Sequence, residues 1–420
     1  MAMNSRPLRA FFHILGGALL LVGQPALSAQ PTPPADSASG AVAAVNALAC
    51  DLYRQIAPAP GDNVFFSPTS LTMALTMTWA GARGDTAAQM AKALHLDKLP
   101  ADQITPAFHA LQNALAKSNA NSSFQLAIAN SLWPQSDHLI LPAYLKTIRD
   151  DYGAAIFPVD YKTQAEAVRL RVNTWVGEQT QQRIQNLLQA EDVADTTRLI
   201  LVNAIYFKAE WEEKFNALNN ENAPFSLPGG ASKPVSLLHK KIDGARYAEI
   251  ADPATPMQIL ALPYQHGALE FIALLPRSAD ALPALEKNLT AEKLAAWLGP
   301  LSAGFAVNVY LPKFKLNTRY NLGPTLQKMG MADAFTQRAD FSGMDGARDL
   351  LISGVVHQAF VEVNESGTEA AAASGVAVGI LAMRADPVPV FRADHPFLFL
   401  IRDPASGVIL FLGRFATPPD

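Results

Sequence analysis

The spacing of apolar residues changes near Arg198, and this change limits the folds open to the chain. Before it, apolar residues recur with helical spacing, as in residues 41–56 and 71–79. After it, short apolar runs predict strands. The first of these, residues 199–202, is uninterrupted and therefore indicates burial on both faces. We expect an α+β protein with its helices mostly early and its sheets mostly late.

Other segments extend both patterns, and the chain is apolar enough to bury them. Half of the residues are hydrophobic, and the only cysteine is Cys50, so stability must come from packing without an intrachain disulfide. Cys50 lies on the first apolar helix, where a core position is expected. Further helices are predicted at residues 89–96, 106–116, 165–188 and 325–329, and further strands at 124–133, 257–262, 269–275, 305–311, 397–401 and 408–415.

The N-terminus has the pattern of an export signal. Arg6 and Arg9 precede the apolar stretch 10–22, and small residues follow up to Ala29. An uncleaved membrane anchor is the alternative, but the apolar stretch is short for a bilayer. We expect a signal peptide at 1–29, a flexible lead-in at 30–40 and one domain at 41–420. The mature protein is then extracellular or periplasmic, with no membrane attachment.

Composition and motifs argue against several function classes. The net charge is −4 and no basic cluster stands out, so nucleic acid is not an expected partner. A Gly-x-Ser-x-Gly elbow, a His-Glu-x-x-His site and a phosphate-binding glycine loop are all missing from the sequence. The eight histidines are scattered singly, so we expect no metal site and no cofactor. A Ser/His/Asp triad dispersed along the chain stays open.

Residues 362–381 form the most informative segment. A strand-like alternation over 360–363 leads into a run of very small side chains. An alanine-rich helix and a surface loop are two interpretations. The third is a strand inserted into a sheet, whose inward face carries small side chains and whose other face carries Glu369. The inward residues would be Thr368, Ala370, Ala372 and Ser374.

This segment resembles the hinge of the reactive-centre loop of inhibitory serpins, on the residues Asn-Glu-Ser-Gly-Thr-Glu-Ala-Ala-Ala-Ala at 364–373. Other stretches resemble the same family in the same order, at residues 63–70, 81–86, 173–176, 201–208, 394–399 and 411–415. The resemblance implies the serpin fold, with helices packed on three β-sheets and an exposed C-terminal reactive-centre loop. It also implies one domain, although length alone suggests two or three.

The resemblance implies a serine protease inhibitor, not an enzyme, that acts as a suicide substrate, and the export signal implies that it is secreted. The target protease cleaves the loop, forms an acyl-enzyme and is trapped when the loop inserts into the main sheet. The partner is therefore a target serine protease held in a covalent 1:1 complex by a monomeric inhibitor. Family spacing places the reactive bond between Leu381 and Ala382, with Ile380 and Met383 as neighbours. These apolar residues favour a chymotrypsin-, elastase- or subtilisin-like target over a trypsin-like enzyme that cleaves after Arg384.

The resemblance also assigns three groups of residues to the conformational change. Ser366 and the later loop glycines depart from the usual hinge pattern, but Thr368 and the four alanines are intact. The hinge comprises Glu365, Gly367, Thr368, Glu369, Ala370, Ala371, Ala372 and Ala373. The shutter, beneath the central strands, comprises Ser67, Ser70, Asn203 and His357, and the breach, where the loop first enters, comprises Trp211, Lys313 and Glu365.

Two other functions stay open at this point. A non-inhibitory serpin acting as a carrier or chaperone would use the same fold, although such members usually lose the small-residue hinge. An exported hydrolase with a dispersed triad explains neither the hinge nor the order of the family motifs.

Overall fold

The computed structural model describes residues 35–57, 59, 61–120, 124–368 and 388–419. Ten helices form in these residues: α1 Ala35–Ile56, α2 Pro68–Ala80, α3 Gly84–Ala93, α4 Ala101–Ala120, α5 Pro142–Tyr152, α6 Tyr161–Gln179, α7 Leu282–Lys287, α8 Ala291–Leu298, α9 Gly323–Lys328 and α10 Ser342–Asp345. Among the helices of this part of the chain, none combines the length and the apolar character needed to cross a bilayer.

Fifteen strands are formed by the same described residues. They are β1 Val64–Phe66, β2 Gln125–Pro134, β3 Ala155–Ile156, β4 Leu199–Glu210, β5 Glu221–Ser226, β6 Ser232–Ile250, β7 Met257–Pro263, β8 Glu270–Pro276, β9 Ser302–Pro312, β10 Phe314–Asn321, β11 Gly354–Val363, β12 Gly367–Thr368, β13 Val390–Arg392, β14 Phe397–Arg402 and β15 Ile409–Phe415.

Local sequence signals fix where several helices begin. The Ser67 side chain accepts a hydrogen bond from the Ser70 amide and caps α2, whose first residue is Pro68. Asp160 caps α6 in the same way by accepting from the Thr163 amide. Because side chains satisfy these amides, each helix begins at a defined residue.

Hydrogen bonds join the strands into two sheets. The six-stranded sheet has the order β10-β11-β12-β4-β2-β3, and β4 also pairs with β11 directly. The nine-stranded sheet has the order β1-β15-β14-β8-β7-β6-β9-β13, with β5 paired to β6. The 19-residue strand β6 crosses from one half of this sheet to the other, and its register with β9 shifts twice on the way. Counted separately, these halves and the six-stranded sheet are three sheets.

Helix α2 lies inside the protein rather than on its surface. All of its residues from Pro68 to Thr78 are buried, and it contacts β4, β2 and β15. It therefore packs against strands of both sheets. Cys50 is also buried, on α1, and burial raises the pKa of its thiol to about 12, so it stays protonated at neutral pH.

Two of the differences between predicted and observed elements have a local explanation. Helix α1 begins at Ala35, within the segment predicted to be a flexible lead-in up to Gly40, because its alanine-rich sequence favours helix. The helix predicted at 165–188 ends at Gln179. Beyond it, Gln181, Gln182 and Asn186 adopt positive φ angles, which a helix cannot accommodate.

Candidate functional site

The candidate site begins where β4 and β11 separate. The two strands pair in parallel from Gly354 opposite Ile200 to Phe360 opposite Tyr206. Beyond that point β12 lies between them, with Thr368 paired to Val363 on β11 and to Ala209 on β4. The predicted hinge therefore starts as a two-residue strand inside the β4–β11 junction.

Gly367 fits this position because the backbone of β4 comes very close to it. A Cβ atom at Gly367 would lie 2.1 Å from the Ala209 carbonyl oxygen and 2.6 Å from the Glu210 Cα. Its φ angle of 155° is also one that residues with side chains adopt rarely. Only glycine allows β12 to approach β4 so closely.

Trp211 and Phe215 hold the chain that leads into β12. The Trp211 indole N–H donates to the Asn364 carbonyl (2.9 Å), and its amide donates to the Ser366 carbonyl (2.9 Å). The Phe215 amide donates to the Glu365 carbonyl at 2.8 Å. Three consecutive carbonyl groups are thus satisfied by the segment that follows β4.

Tyr264 connects Trp211 to the hinge. Its ring stacks on the Trp211 indole with centroids 4.8 Å apart and planes inclined by 6°. Its hydroxyl lies 2.6 Å from the Thr368 Oγ1, and both residues are buried. Burial raises the pKa of Tyr264, so the hydroxyl keeps its proton and the hydrogen bond persists at neutral pH.

Lys313 and Glu365, both predicted for the breach, form an ion pair at the edge of this region. Lys313 Nζ lies 3.1 Å from Glu365 Oε1, and Asn220 Nδ2 donates to the same oxygen at 2.7 Å. Glu365 is 13% exposed and Lys313 is 45% exposed. Burial alone would raise the pKa of Glu365, but hydrogen bonds and Lys313 outweigh it, and the pKa lies below its ordinary value.

His357, on β11, has a protonation state set by its partners. The Ser67 amide donates to His357 Nε2 at 3.1 Å, so Nε2 is an acceptor and the ring proton lies on Nδ1. Nδ1 in turn donates to Asn203 Oδ1 on β4 at 2.5 Å. Burial lowers the pKa of His357 to about 3, so the ring is neutral at physiological pH.

Asn203 is the centre of this cluster. Strand β4 has β11 on one side and β2 on the other. In these two pairings Asn203 lies opposite His357 of β11 and opposite Asn130 of β2. Its Nδ2 donates to Ser70 Oγ at 2.6 Å and to Asn130 Oδ1. One buried hydrogen-bond network therefore connects three central strands with α2 beneath them.

Comparison with known proteins decides the family. The profile described as Serpin (serine protease inhibitor) matches residues 43–418. The chain belongs to the serpin family. The leukocyte elastase inhibitor of Sus scrofa is 42% identical to this serpin over 385 residues, which cover 90% of this chain and 99% of that protein. The leukocyte elastase inhibitor of Homo sapiens is 41% identical over 379 residues, with coverage of 88% and 97%.

Solved structures agree with the family assignment. Uncleaved ovalbumin superposes on this serpin with a TM-score of 0.80 at 32% identity, covering 90% of this chain and 100% of ovalbumin. The predicted α+β serpin fold is confirmed. Membership in a family of protease inhibitors also confirms the prediction that the chain is not an enzyme.

The structure brings together the predicted residues that it describes. Ser67, Ser70, Asn203 and His357 form one hydrogen-bonded cluster, and the Trp211 and Lys313 side chains both reach the start of the hinge. Glu365, Gly367 and Thr368 of the hinge lie in or next to β12, and the remaining predicted site residues of this serpin lie outside the described residues. They are Glu369, Ala370, Ala371, Ala372 and Ala373 of the hinge, and Ile380, Leu381, Ala382 and Met383 around the reactive bond.

Three residues in contact with the site were missed by the sequence reasoning. Asn130 completes the Asn203 cluster, Tyr264 binds Thr368, and Asn220 binds Glu365. Asn130 is a polar residue within a predicted strand, which was an available signal. Nothing in the local sequence around Tyr264 or Asn220 indicates their partners, because those lie more than 100 residues away.

Proposed function

We propose that this serpin inhibits a serine protease as a suicide substrate. The protease serine oxygen attacks the carbonyl carbon of Leu381, the Leu381–Ala382 bond breaks, and the new amino terminus of Ala382 leaves with a proton. The acyl-enzyme is then trapped because the cleaved loop inserts between β4 and β11 faster than water attacks the ester. The product is a covalent 1:1 complex with a monomeric inhibitor.

The observation that carries this proposal is β12. Thr368 already pairs with both β4 and β11, and Gly367 pairs with β4, so insertion requires no new site of nucleation. Each further residue that enters gains hydrogen bonds on both sides, as an added strand does in any sheet. The four alanines after Glu369 limit the volume that must be accommodated.

The shutter and the breach both fit a loop that does not insert until it is cleaved. The hydrogen bond from His357 to Asn203 joins β11 to β4 along the path that a longer inserted strand would take. The shutter role proposed for Ser67, Ser70, Asn203 and His357 is to keep these strands together until cleavage. The breach role proposed for Trp211, Lys313 and Glu365 is to hold the hinge in position. The native state is then maintained kinetically.

The target we propose is a protease with an apolar primary pocket. Leu381 and its neighbours are uncharged, and two relatives about 40% identical are named leukocyte elastase inhibitors. An elastase- or chymotrypsin-like enzyme therefore fits better than a trypsin-like enzyme directed to Arg384.

Export is part of the proposal and rests on the sequence before the serpin domain. Arg6, Arg9 and the apolar stretch 10–22 precede the small-residue site at Ala29. The exported protein would begin at Gln30. Mass spectrometry of the protein recovered outside the producing cytoplasm tests this, and an intact N-terminus starting at Met1 or Ala2 contradicts it.

Titration of elastase, chymotrypsin, subtilisin and trypsin with the purified protein tests the inhibition. We expect an equimolar end point with one of the first three enzymes and release of a C-terminal fragment that begins at Ala382. Leu381→Arg should redirect inhibition to trypsin, whereas the control Arg384→Ala should leave the target unchanged. Cleavage of the loop without loss of protease activity would contradict inhibition and favour a carrier.

A further inference from the structure

A histidine and two aspartates meet at the end of the six-stranded sheet opposite β12. His138 Nδ1 lies 2.7 Å from Asp345 Oδ2 and 3.7 Å from Asp349 Oδ1. One ligand atom from each residue lies within 4.8 Å of the other two. Within the described residues this is the only group of histidine, cysteine or acidic side chains with such spacing.

The three residues come from two distant segments. His138 lies in the loop between β2 and α5, Asp345 ends α10, and Asp349 lies in the segment that leads into β11. His138 and Asp345 are 207 residues apart in sequence. The sequence therefore predicts no metal site, because no local spacing of ligands exists.

The burial and charge of the group point to a cation. The Asp345 side chain is 2% exposed and that of His138 is 9% exposed. Both aspartates lie beside His138, and the Ala347 amide donates a hydrogen bond to Asp345 Oδ1 at 2.9 Å. A buried carboxylate requires a compensating charge. A divalent cation would neutralise both carboxylates at once.

A small rearrangement would fit zinc. A tetrahedral Zn²⁺ ion with bonds of about 2.1 Å keeps its ligand atoms roughly 3.4 Å apart. The 3.7 Å from His138 Nδ1 to Asp349 Oδ1 is close to that value, whereas the 2.7 Å to Asp345 Oδ2 is a hydrogen bond that must lengthen when zinc replaces the proton. One imidazole with two carboxylates is a donor set that zinc accepts, with water as the fourth ligand. Asp349 is 74% exposed, which leaves this side open for the ion to enter.

A further carboxylate lies behind the histidine. His138 Nε2 makes no hydrogen bond to the described residues, but it lies 3.8 Å from Asp137 Oδ1. Ligating histidines commonly direct their second N–H toward a carboxylate, which orients the ring and strengthens it as a ligand. Lys162 forms an ion pair with Asp137 and holds this carboxylate in place.

We propose that His138, Asp345 and Asp349 bind one Zn²⁺ ion and that the ion restrains the opening of the sheet. Binding puts zinc in place of any proton on His138 Nδ1, and that proton passes to solvent. The ion would link the loop after β2, on the β4 side of the sheet, to the segment before β11. Full insertion must separate β4 from β11 down to this end, so the bound ion should slow it. This second part rests on the proposed inhibitory function.

Calorimetric titration of the chelator-treated full-length protein with ZnCl₂ tests the binding without reference to inhibition. We expect one equivalent to bind, and Asp349→Asn to weaken binding by about tenfold or more. Asp349 is exposed, so its variant should fold normally. His138→Gln should abolish binding. The control His109→Gln removes another histidine that lies beside an aspartate, at 3.8 Å, and should bind as the wild type does. An absence of zinc binding, or equal binding by Asp349→Asn, overturns the site.

The restraint is tested by adding zinc to the reaction with the target protease. We expect zinc to increase the fraction of wild-type serpin that is cleaved without forming a complex, and to leave that fraction unchanged in Asp349→Asn. If zinc binds but leaves the fraction cleaved without complex formation unchanged in both the wild type and Asp349→Asn, the restraint is refuted. If no complex forms even without zinc, the inhibitory function fails while the calorimetric result stands.

Discussion

His357 and Asn203 face each other across the β4–β11 junction, and the Nδ1–H of the histidine donates to the Oδ1 of the asparagine. The Ser67 amide donates a hydrogen bond to Nε2, the other ring nitrogen. A second proton could bind to the ring only at Nε2, and only if this hydrogen bond breaks. The side-chain link that His357 makes between α2 and the two central strands therefore requires a neutral histidine.

Acid should destabilise the native state through His357. Burial lowers its pKa from 6.5 to about 3, so between these values the unfolded chain binds a proton that the folded chain does not. The contribution to stability is complete above pH 6.5 and is lost as the pH falls toward 3. From pH 7 to pH 5 we expect this group alone to remove about 2 kcal/mol, measured by urea-induced unfolding.

The matched variant for this prediction is His357→Gln, which cannot titrate. It should be less stable than the wild type at pH 7 but should lose less stability on acidification. An equally steep pH dependence in both proteins would show that other groups cause it.

Removing the Tyr264 hydroxyl should loosen β12. Tyr264→Phe keeps the stacking on Trp211 but leaves the buried Thr368 hydroxyl without this partner, at a cost of about 1–3 kcal/mol. We expect hydrogen exchange of the Gly367 and Thr368 amides to accelerate by about tenfold or more. Tyr144→Phe, which loses a buried hydrogen bond to the Met77 carbonyl, is the control and should leave these amides unaffected. Unchanged exchange in Tyr264→Phe would mean that the hydroxyl does not hold the hinge.

A methyl group at Gly367 should expel β12 from the junction. In Gly367→Ala the new Cβ would clash with the Ala209 carbonyl, and we expect a loss of about 1–3 kcal/mol in native-state stability. The fraction of serpin cleaved without complex formation should also increase. The control is Gly354→Ala on β11, where an added Cβ meets no atom within 4 Å. Equal behaviour of the two variants would argue against close packing at the hinge.

The Lys313–Glu365 pair should contribute little by itself. Lys313 is nearly half exposed, and exposed ion pairs typically stabilise by about 0.2–1 kcal/mol. Lys313→Ala should therefore lower the melting temperature slightly at low salt and hardly at all in concentrated NaCl. A large decrease that persists in high salt would show that the lysine has another role.

The sequence predicted many elements because their periodicity is local. Residues 124–133 were predicted as a strand, and β2 covers Gln125–Pro134. The helix at 165–188 was too long, since three left-handed residues after Gln179 end it and no glycine or proline signals this. Periodicity identifies an element, but a backbone conformation held by tertiary contacts leaves no periodic signal.

The site was predictable only through family resemblance. Strand order decides that His357 meets Asn203, and an unaided reading of apolar runs does not give strand order. The same limit explains why Tyr264 and the His138 group were missed, since their partners are distant in sequence. The small side chains after Thr368 predict insertion from the local sequence, and this stays a prediction; its basis is that strand packing restricts side-chain size wherever the partner strands lie.

The most direct test of the central claim is denaturing gel electrophoresis after reaction with elastase, for the wild type and for Thr368→Arg. We predict a covalent band near the summed mass for the wild type. Thr368→Arg should be cleaved near Leu381 with no such band, because a charged side chain cannot enter the buried junction. Cleavage of the wild type without a covalent band, or a full band with Thr368→Arg, would contradict trapping by loop insertion.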